Sequence, residues 1–269
     1  MKKLRLGNMK NLRFVNSLIK MKLSHMMVFR LSFFGAFFVD GTVFFIQLLL
    51  FQAIYSQVDT IGGWSKGEMM IFIGTFSLIN ALNMIIFFFG INDLPDKIKN
   101  GRLDHYLTKP VSPLFRLTFE NVNPGSVPLI FVSIGIILYG ISLSKMSITL
   151  PQGIGYAGLV ALMTLLWYDI QLILRCIPFF VISGTNITRT EELLELCMKV
   201  PGVLFKGAFK VLFYFILPYG LMATIPTQFL MKTISLSGIL YGVVIVILFT
   251  GIAYGIWKVG LRNYKSSSS

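Results

Sequence analysis

Long apolar runs alternate with short polar connections along this chain. Each run is close to the length of about 20 residues that a helix needs to cross a hydrocarbon core of about 30 Å. The six runs cover residues 31–55, 68–90, 126–143, 154–181, 207–229 and 236–259. The pattern predicts an all-α integral membrane protein with six transmembrane helices, whose membrane domain extends over residues 31–259. An even number of spans places both termini on the same side.

A different pattern precedes the first run. Between Asn11 and Met27 apolar side chains recur at helical spacing, while cations such as Arg13 and Lys20 occupy another stripe. The apolar positions are Leu12, Val15, Ile19, Leu23 and Met26. A basic amphipathic helix of this kind lies in the membrane interface, with its cations near anionic headgroups. Residues 1–30 are therefore predicted to form an interfacial helix, although a charged topology signal with no other role explains the pattern equally well.

The composition excludes the soluble classes of protein. Hydrophobic residues make up 55% of the 269 positions and charged residues 13%, against about 25% charged in an average soluble domain. The mean hydropathy of +0.76 is incompatible with a disordered chain or a small secreted protein held by disulfides. Cys176 and Cys197 have no neighbouring Cys or His at metal-ligand spacing, so no metal site is predicted.

The net charge of +13 is distributed in a way that indicates membrane topology rather than nucleic-acid binding. With the six runs as spans, all Lys and Arg residues lie on or near one side of the membrane except Lys66, Lys145 and Lys232, with Arg175 just inside the membrane. Because cytosolic loops carry an excess of Lys and Arg, the N terminus and the tail of residues 260–269 are predicted to be cytosolic. No nucleic-acid partner is expected.

The connection at residues 91–117 is short, polar and rich in helix signals. Pro95 suits a first helical turn, and Leu94 and Ile98 then share one face. Gly101 supplies the turn that ends this helix, and a second short helix follows it. The connection is predicted to hold one or two small helices outside the membrane, with apolar side chains exposed to a partner.

A motif in this connection resembles that of a known family. It reads Gly101-Arg102-Leu103-Asp104, then Tyr106-Leu107, then Lys109-Pro110-Val111-Ser112-Pro113-Leu114, and it follows the second of the six runs. In this motif and in its span layout the chain resembles the membrane-spanning permease subunit of a bacterial type-2 ATP-binding-cassette (ABC-2) transporter. The resemblance implies that residues 1–30 are an interfacial elbow helix. It also implies that the connection is a coupling helix, which docks on a separate ATPase.

The resemblance implies partners and a location as well. Two copies of an ABC ATPase and a second permease subunit, identical or homologous, complete an exporter in the bacterial cytoplasmic membrane. ATP and magnesium are expected on the ATPase, because this chain has no G-x-x-x-x-G-K-[ST] phosphate loop. Its two histidines, His25 and His105, are far apart in the sequence, and no hydrolase motif is evident, so no catalytic residue is predicted.

The predicted docking residues belong to the coupling helix. The apolar members are expected to fill a groove on the ATPase, and the charged members to pair with groups around it. These residues are Leu94, Lys97, Ile98, Lys99, Arg102, Leu103, Asp104 and Tyr106. A solvated loop whose cations only set the topology is the alternative interpretation.

Polar residues inside the runs are candidates for a translocation path, because polar and ionisable groups are costly in a membrane. They are Asp40, Gln47, Asn80 and Asn83. For Asp40 a path role and a packing role are equally favoured. For the amides, hydrogen bonding between helices is the preferred interpretation.

Two later segments depart from the simple pattern of apolar runs. Residues 184–201 predict a short helix on the cytosolic surface, with Glu191 among its polar residues. Pro218 and Pro226 interrupt the fifth run. These prolines fit either short re-entrant helices on the outer side or a simple proline kink.

One competing function is left open by the sequence. A channel-like or accessory membrane protein that works without ATP would show the same six runs. A secondary transporter is disfavoured, because no inverted repeat is evident and few charges lie within the runs.

Overall fold

The computed structural model describes the backbone of residues 30–181 and 187–264. Within this part of the chain 79% of the residues are helical and none lies in a strand, which confirms the all-α fold class. The predicted interfacial helix of residues 1–30 and the end of the tail, 265–269, lie outside the described residues. The side chain of Asp40 lies outside them as well.

The described residues form α-helices joined by short turns. The helices are α1 Arg30–Ile54, α2 Lys66–Asn83, α3 Leu94–Lys99, α4 Asp104–Leu107, α5 Pro113–Glu120, α6 Val127–Leu143, α7 Leu150–Arg175, α8 Ile187–Glu195, α9 Gly207–Val211, α10 Tyr219–Met222, α11 Thr224–Leu230 and α12 Leu236–Asn263. A π-helical turn at Met84–Phe88 and a short turn at Phe89–Ile91 extend α2, and a π-helical turn at Leu212–Ile216 extends α9. Single 3-10 turns lie at Pro124–Ser126, Ile177–Phe179, Leu196–Lys199 and Gly202–Leu204.

Several of these helices are long and apolar enough to cross a membrane. Among the described residues there are four such segments, Lys66–Lys99, Pro124–Leu143, Leu150–Phe179 and Leu236–Asn263. A fifth is added if the bent pair Gly207–Ile216 and Tyr219–Leu230 counts as one span, and α1 contributes the apolar stretch Gly41–Ile54. The chain is therefore an integral membrane protein, while the number of six crossings stays a prediction.

Glycines let α2 and α6 pack closely as an antiparallel pair. A methyl group at Gly67 would come within 2.3 Å of Ser144 Oγ, and one at Gly74 would come within 2.6 Å of Ile137 Cγ1. Beyond Gly74, Ser133 donates a hydrogen bond of 2.7 Å to Ser77. Small residues and hydroxyl groups are the usual means by which membrane helices approach one another. The pair therefore behaves as one packed unit.

The centre of the molecule is helix α7, which packs against α2 on one side and α12 on the other. The rings of Phe76 and Trp167 stack at 6.4 Å between α2 and α7. On the other side Thr250 of α12 donates a hydrogen bond of 2.5 Å to the carboxylate of Asp169, which is 2% exposed. A carboxylate at this depth thus has a hydrogen-bonded partner, as buried polar groups require.

The fifth apolar run does not form one straight helix. It bends by 79° between Ile216 and Tyr219, at the position of Pro218. The approach to this run meets the α1–α2 connection, because a methyl group at Gly62 would come within 2.6 Å of Leu204. The far end of the run meets the first turn of α7, where the Gln152 amide donates to the Leu230 carbonyl at 2.6 Å.

Both ends of the bent run therefore lie at the same end of the bundle. The α1–α2 and α6–α7 connections meet there, since Gly67 lies against Ser144. Between the two predicted alternatives, these contacts favour a re-entrant segment over a simple kink in a straight span.

Candidate functional site

The predicted coupling helix consists of two short helices, α3 and α4, and residues 94–107 are called the coupling segment below. Gly101 joins the two helices with φ of +67°, a left-handed conformation that glycine adopts without a steric penalty. The Leu103 amide donates across the turn to the Lys97 carbonyl at 3.2 Å. Pro95 stands in the first turn of α3, as the sequence predicted. The segment is thus a compact folded unit rather than an open loop.

The apolar side of the coupling segment faces inward, so the expectation that these residues are exposed to a partner is wrong. Leu94 and Leu103 are fully buried, and Ile98 and Tyr106 are 8% and 7% exposed. They belong to one hydrophobic cluster with residues of α7 and α12 and the turn after α7, including Tyr168, Leu172, Cys176 and Trp257. A short apolar stripe covers whichever apolar surface is nearest, and here that surface is the protein's own bundle.

The charged members of the predicted set face outward. Lys99 and Arg102 are exposed, and Lys97 and Asp104 are half-buried. Leu107, in the same motif, is 43% exposed. The structure therefore separates the predicted docking residues into an inner apolar group and an outer, mainly cationic group.

Tyr106 fixes the coupling segment to α5. Its hydroxyl donates to Glu120 Oε1 at 3.1 Å, and Arg116 Nε donates to the other oxygen of the same carboxylate at 3.3 Å. The Arg116 guanidinium and the Lys97 ammonium lie 5.0 Å and 5.5 Å from the centre of the Tyr106 ring, within range of cation–π attraction. Burial and the charge of Glu120 raise the pKa of Tyr106 to about 12, so its hydroxyl keeps its proton and remains a donor.

Helix α5 is held against the rest of the bundle at two points. The hydroxyls of Thr118 and Tyr168 are 2.7 Å apart, which joins α5 to α7. A methyl group at Gly90 would come within 2.3 Å of the Thr118 carbonyl oxygen, so the end of the second span touches the α5 backbone. Through α5, the coupling segment is therefore joined to the second span and to α7.

The C-terminal end of α12 also reaches the coupling segment. Phe179 packs edge-on against Trp257 at 5.8 Å and against Tyr264 at 6.1 Å. The Tyr264 hydroxyl lies beside Asp104 and the Leu103 backbone, and burial together with the charge of Asp104 raises the pKa of this tyrosine. The last helix thus ends on the segment that the sequence singled out.

A buried ion pair lies at the same end of the bundle. Arg175, at the end of α7, donates to both carboxylate oxygens of Glu191 at 3.0 and 3.1 Å. The two side chains are only 3% and 5% exposed. The guanidinium also lies 4.9 Å from the centre of the Phe88 ring and donates to the Phe88 carbonyl at 3.4 Å.

The sequence did not predict this ion pair. Glu191 was expected on a surface helix, but α8 turns it into the protein, where it is 4% exposed. The only signal was a lone arginine at the end of an apolar run, since an ionised group there requires a partner.

Gln47, Asn80 and Asn83, the predicted path residues whose side chains the structure describes, are not joined to one another by hydrogen bonds. Gln47 is 8% exposed and donates to the Lys199 carbonyl at 3.4 Å. Asn83 donates to Gln171 at 3.1 Å and links α2 to α7. Asn80 is half-buried. The bond made by Asn83 joins two helices, and a path role of Asp40, Gln47, Asn80 and Asn83 stays a prediction.

Among residues 30–181 and 187–264, no group of three or more His, Cys, Asp or Glu side chains is arranged to hold a metal ion. Cys176 is buried and Cys197 half-buried, and both are free thiols.

Comparison with known proteins adds one finding to this geometry. A family model described as "ABC-2 family transporter protein" matches residues 42–268, which include the coupling segment and the Arg175–Glu191 pair. No curated protein and no solved structure matches the chain.

Proposed function

We propose, from the premise that this chain belongs to the ABC-2 family of transporter proteins, that it is the permease subunit of an ATP-driven exporter. Membership of the family makes it a membrane transport protein. In the proposal the chain is non-catalytic, and ATP and magnesium bind to a separate ABC ATPase present in two copies. A second permease subunit, identical or homologous, completes the complex in the bacterial cytoplasmic membrane.

The observation that carries the proposal is the construction of the coupling segment. A segment that transmits movement from an ATPase must pack firmly against its own helix bundle and must also expose a surface on which the ATPase docks. Leu94, Leu103 and Tyr106 supply the attachment to α7 and α12, and Lys99 and Arg102 supply the outer surface. We therefore propose that the outer cations dock on acidic groups of the ATPase. The apolar residues, which the sequence predicted to dock, are already buried against the bundle.

Six crossings fit the fold if α8 and the residues after it make the fifth. Glu191 meets the inner end of α7, whereas Leu204 meets the α1–α2 connection at the opposite end. Twelve residues lie between the two, enough to span a hydrocarbon core of about 30 Å with helical and extended backbone. Residues 207–230 then re-enter from the outer side, and both termini remain cytosolic.

The experiment that tests the proposal is purification of the tagged chain from its own membranes. A soluble ATPase in near-equal amount, with vanadate-sensitive ATP hydrolysis in the eluate, is the expected result. A second permease in the eluate identifies a heterodimer. A chain that stays alone and inactive after crosslinking supports the ATP-independent, channel-like alternative instead.

Charge reversal locates the docking surface. The double variant Lys99→Glu/Arg102→Glu is expected to lose the ATPase while inserting normally in the membrane, because both side chains are exposed and their replacement leaves the buried cluster intact. The matched control is Lys66→Glu/Lys145→Glu, two exposed lysines at the opposite end. Equal ATPase recovery with both double variants would exclude this docking surface.

A further inference from the structure

We propose that Arg175 and Glu191 form a joint that passes movement of the coupling segment to the fifth crossing. The inference rests on the proposed function, since it assigns a positioning role within the transport cycle. It goes beyond that function because neither residue belongs to the docking surface or to the predicted path.

Arg175 links its own helix to two other elements. Its guanidinium holds Glu191 of α8 with two hydrogen bonds, and it lies against the ring and carbonyl of Phe88 in the π-helical turn after α2. Its backbone belongs to the last turn of α7. A planar guanidinium makes such contacts in fixed directions, whereas an apolar side chain would let the same elements slide.

The input side of the joint is the coupling segment. Phe88 precedes Leu94 by six residues, and Gly90 between them touches the α5 backbone. The neighbour of Arg175, Cys176, is buried in the same cluster as Leu94 and Leu103. A push on the coupling segment therefore reaches Arg175 through the second span and through α7.

The output side is the fifth crossing. Glu191 is followed one turn later by Glu195 and then by Lys199, whose carbonyl accepts the hydrogen bond from Gln47 of α1. Movement of Glu191 thus reaches the first span, which carries two of the predicted path residues. The pair lies where the cytosolic input and the membrane-crossing output meet.

Stability alone does not account for this pair. Removing two charges from water is unfavourable, and well-packed apolar residues of similar volume often replace a buried ion pair without loss of stability. An apolar double variant, Arg175→Met/Glu191→Leu, is therefore expected to fold and still bind the ATPase. Its fold is checked by its melting temperature in detergent.

The readout is the native thiol at Cys197, which lies two residues after α8 and is half-buried. Cys176 is fully buried, so the native chain serves as the background protein, and mass spectrometry of the peptide that contains Cys197 follows its labelling. Its rate of labelling by a maleimide is measured in the purified complex, free of nucleotide and trapped with ATP and vanadate. In the background protein, trapping is expected to change the labelling rate. In the Arg175→Met/Glu191→Leu variant, vanadate trapping of the ATPase persists and the change in labelling is lost.

The matched control removes another buried polar pair of α7. Asp169→Leu/Thr250→Val breaks the contact with α12 but leaves Arg175 and α8 intact, so the labelling change is expected to persist. A labelling change that survives in Arg175→Met/Glu191→Leu would overturn the inference, and so would its absence from the background protein. If no ATPase accompanies the chain, the proposed function itself fails, which is a distinguishable result.

Discussion

At the scale of single residues, contacts around the coupling segment converge on Tyr106. Tyr106→Phe keeps the ring under Lys97 and Arg116 but removes the donor to Glu120. Because Arg116 still bonds that carboxylate, we expect the free energy of unfolding to fall by only about 1 kcal/mol. Thermal unfolding in detergent measures the effect. Tyr106→Ala also removes the buried ring and is expected to cost more; equal losses for the two variants would contradict the assigned role of the ring.

The same hydroxyl predicts a pH dependence at the alkaline end. The pKa of Tyr106 rises from 10.0 to about 12 through burial and the charge of Glu120. A group with a raised pKa contributes its full stabilisation below the unfolded value and loses it as the pH rises through the folded value. The stability difference between wild type and Tyr106→Phe is therefore constant up to about pH 10 and decreases towards pH 12. A series of unfolding curves at increasing pH tests this, and a difference that grows with pH would contradict it.

At the scale of elements, the approach of the second span to α5 depends on one glycine. Gly90→Ala would place a methyl group 2.3 Å from the Thr118 carbonyl, so the two backbones must separate. Overpacking of this kind costs about 1–3 kcal/mol, and we expect lower thermal stability together with weaker ATPase recovery.

The control for this variant is Gly158→Ala in α7, where a methyl group meets no atom within 4 Å. Alanine in a helix interior is favoured over glycine by roughly 0.5–1 kcal/mol, so this variant is expected to be slightly more stable. Equal effects at the two positions would show that the contact with Thr118 is unimportant.

The elements differ in how far the sequence predicted them. The run 236–259 falls within α12, Leu236–Asn263, because a long apolar helix is determined by local composition alone. Pro218 predicted a break, but the direction of the chain after it depends on distant contacts such as that of Leu230 with Gln152. The Arg175–Glu191 pair joins different helices, and no periodicity relates its two members.

For the coupling segment, too, the sequence predicted the local structure but not the tertiary packing. Its helices and its turn at Gly101 follow from local signals. Whether Leu94 and Leu103 face a partner or the chain's own bundle is a question of tertiary packing, which a stripe of apolar residues leaves undecided. The outward position of Lys99 and Arg102 was predictable, because unpaired cations remain in water.

At the scale of the whole molecule, the assignment of the fifth crossing predicts which side Lys206 occupies. In a protein with both native cysteines replaced by alanine, Lys206→Cys is expected to react with a membrane-impermeant maleimide on intact cells. Lys99→Cys is expected to react only after permeabilisation. Lys145→Cys, in the α6–α7 connection, is the control for the outer side. All three lysines are exposed. Labelling of Lys206→Cys only from the inside would return the fifth crossing to residues 207–229.

Close packing at the glycines makes α2 and α6 a rigid pair. At its inner end α2 continues through Met84–Phe88 and Phe89–Ile91 to the coupling segment. If the pair tilts by about 5° about its outer end, its inner end, ~30 Å away across the hydrocarbon core, moves by roughly 2.6 Å. That distance is comparable to the length of a hydrogen bond. An antibody fragment bound across the outer turn, where Gly67 meets Ser144, would therefore lower the rate of ATP hydrolysis on the other side of the membrane without contacting the ATPase.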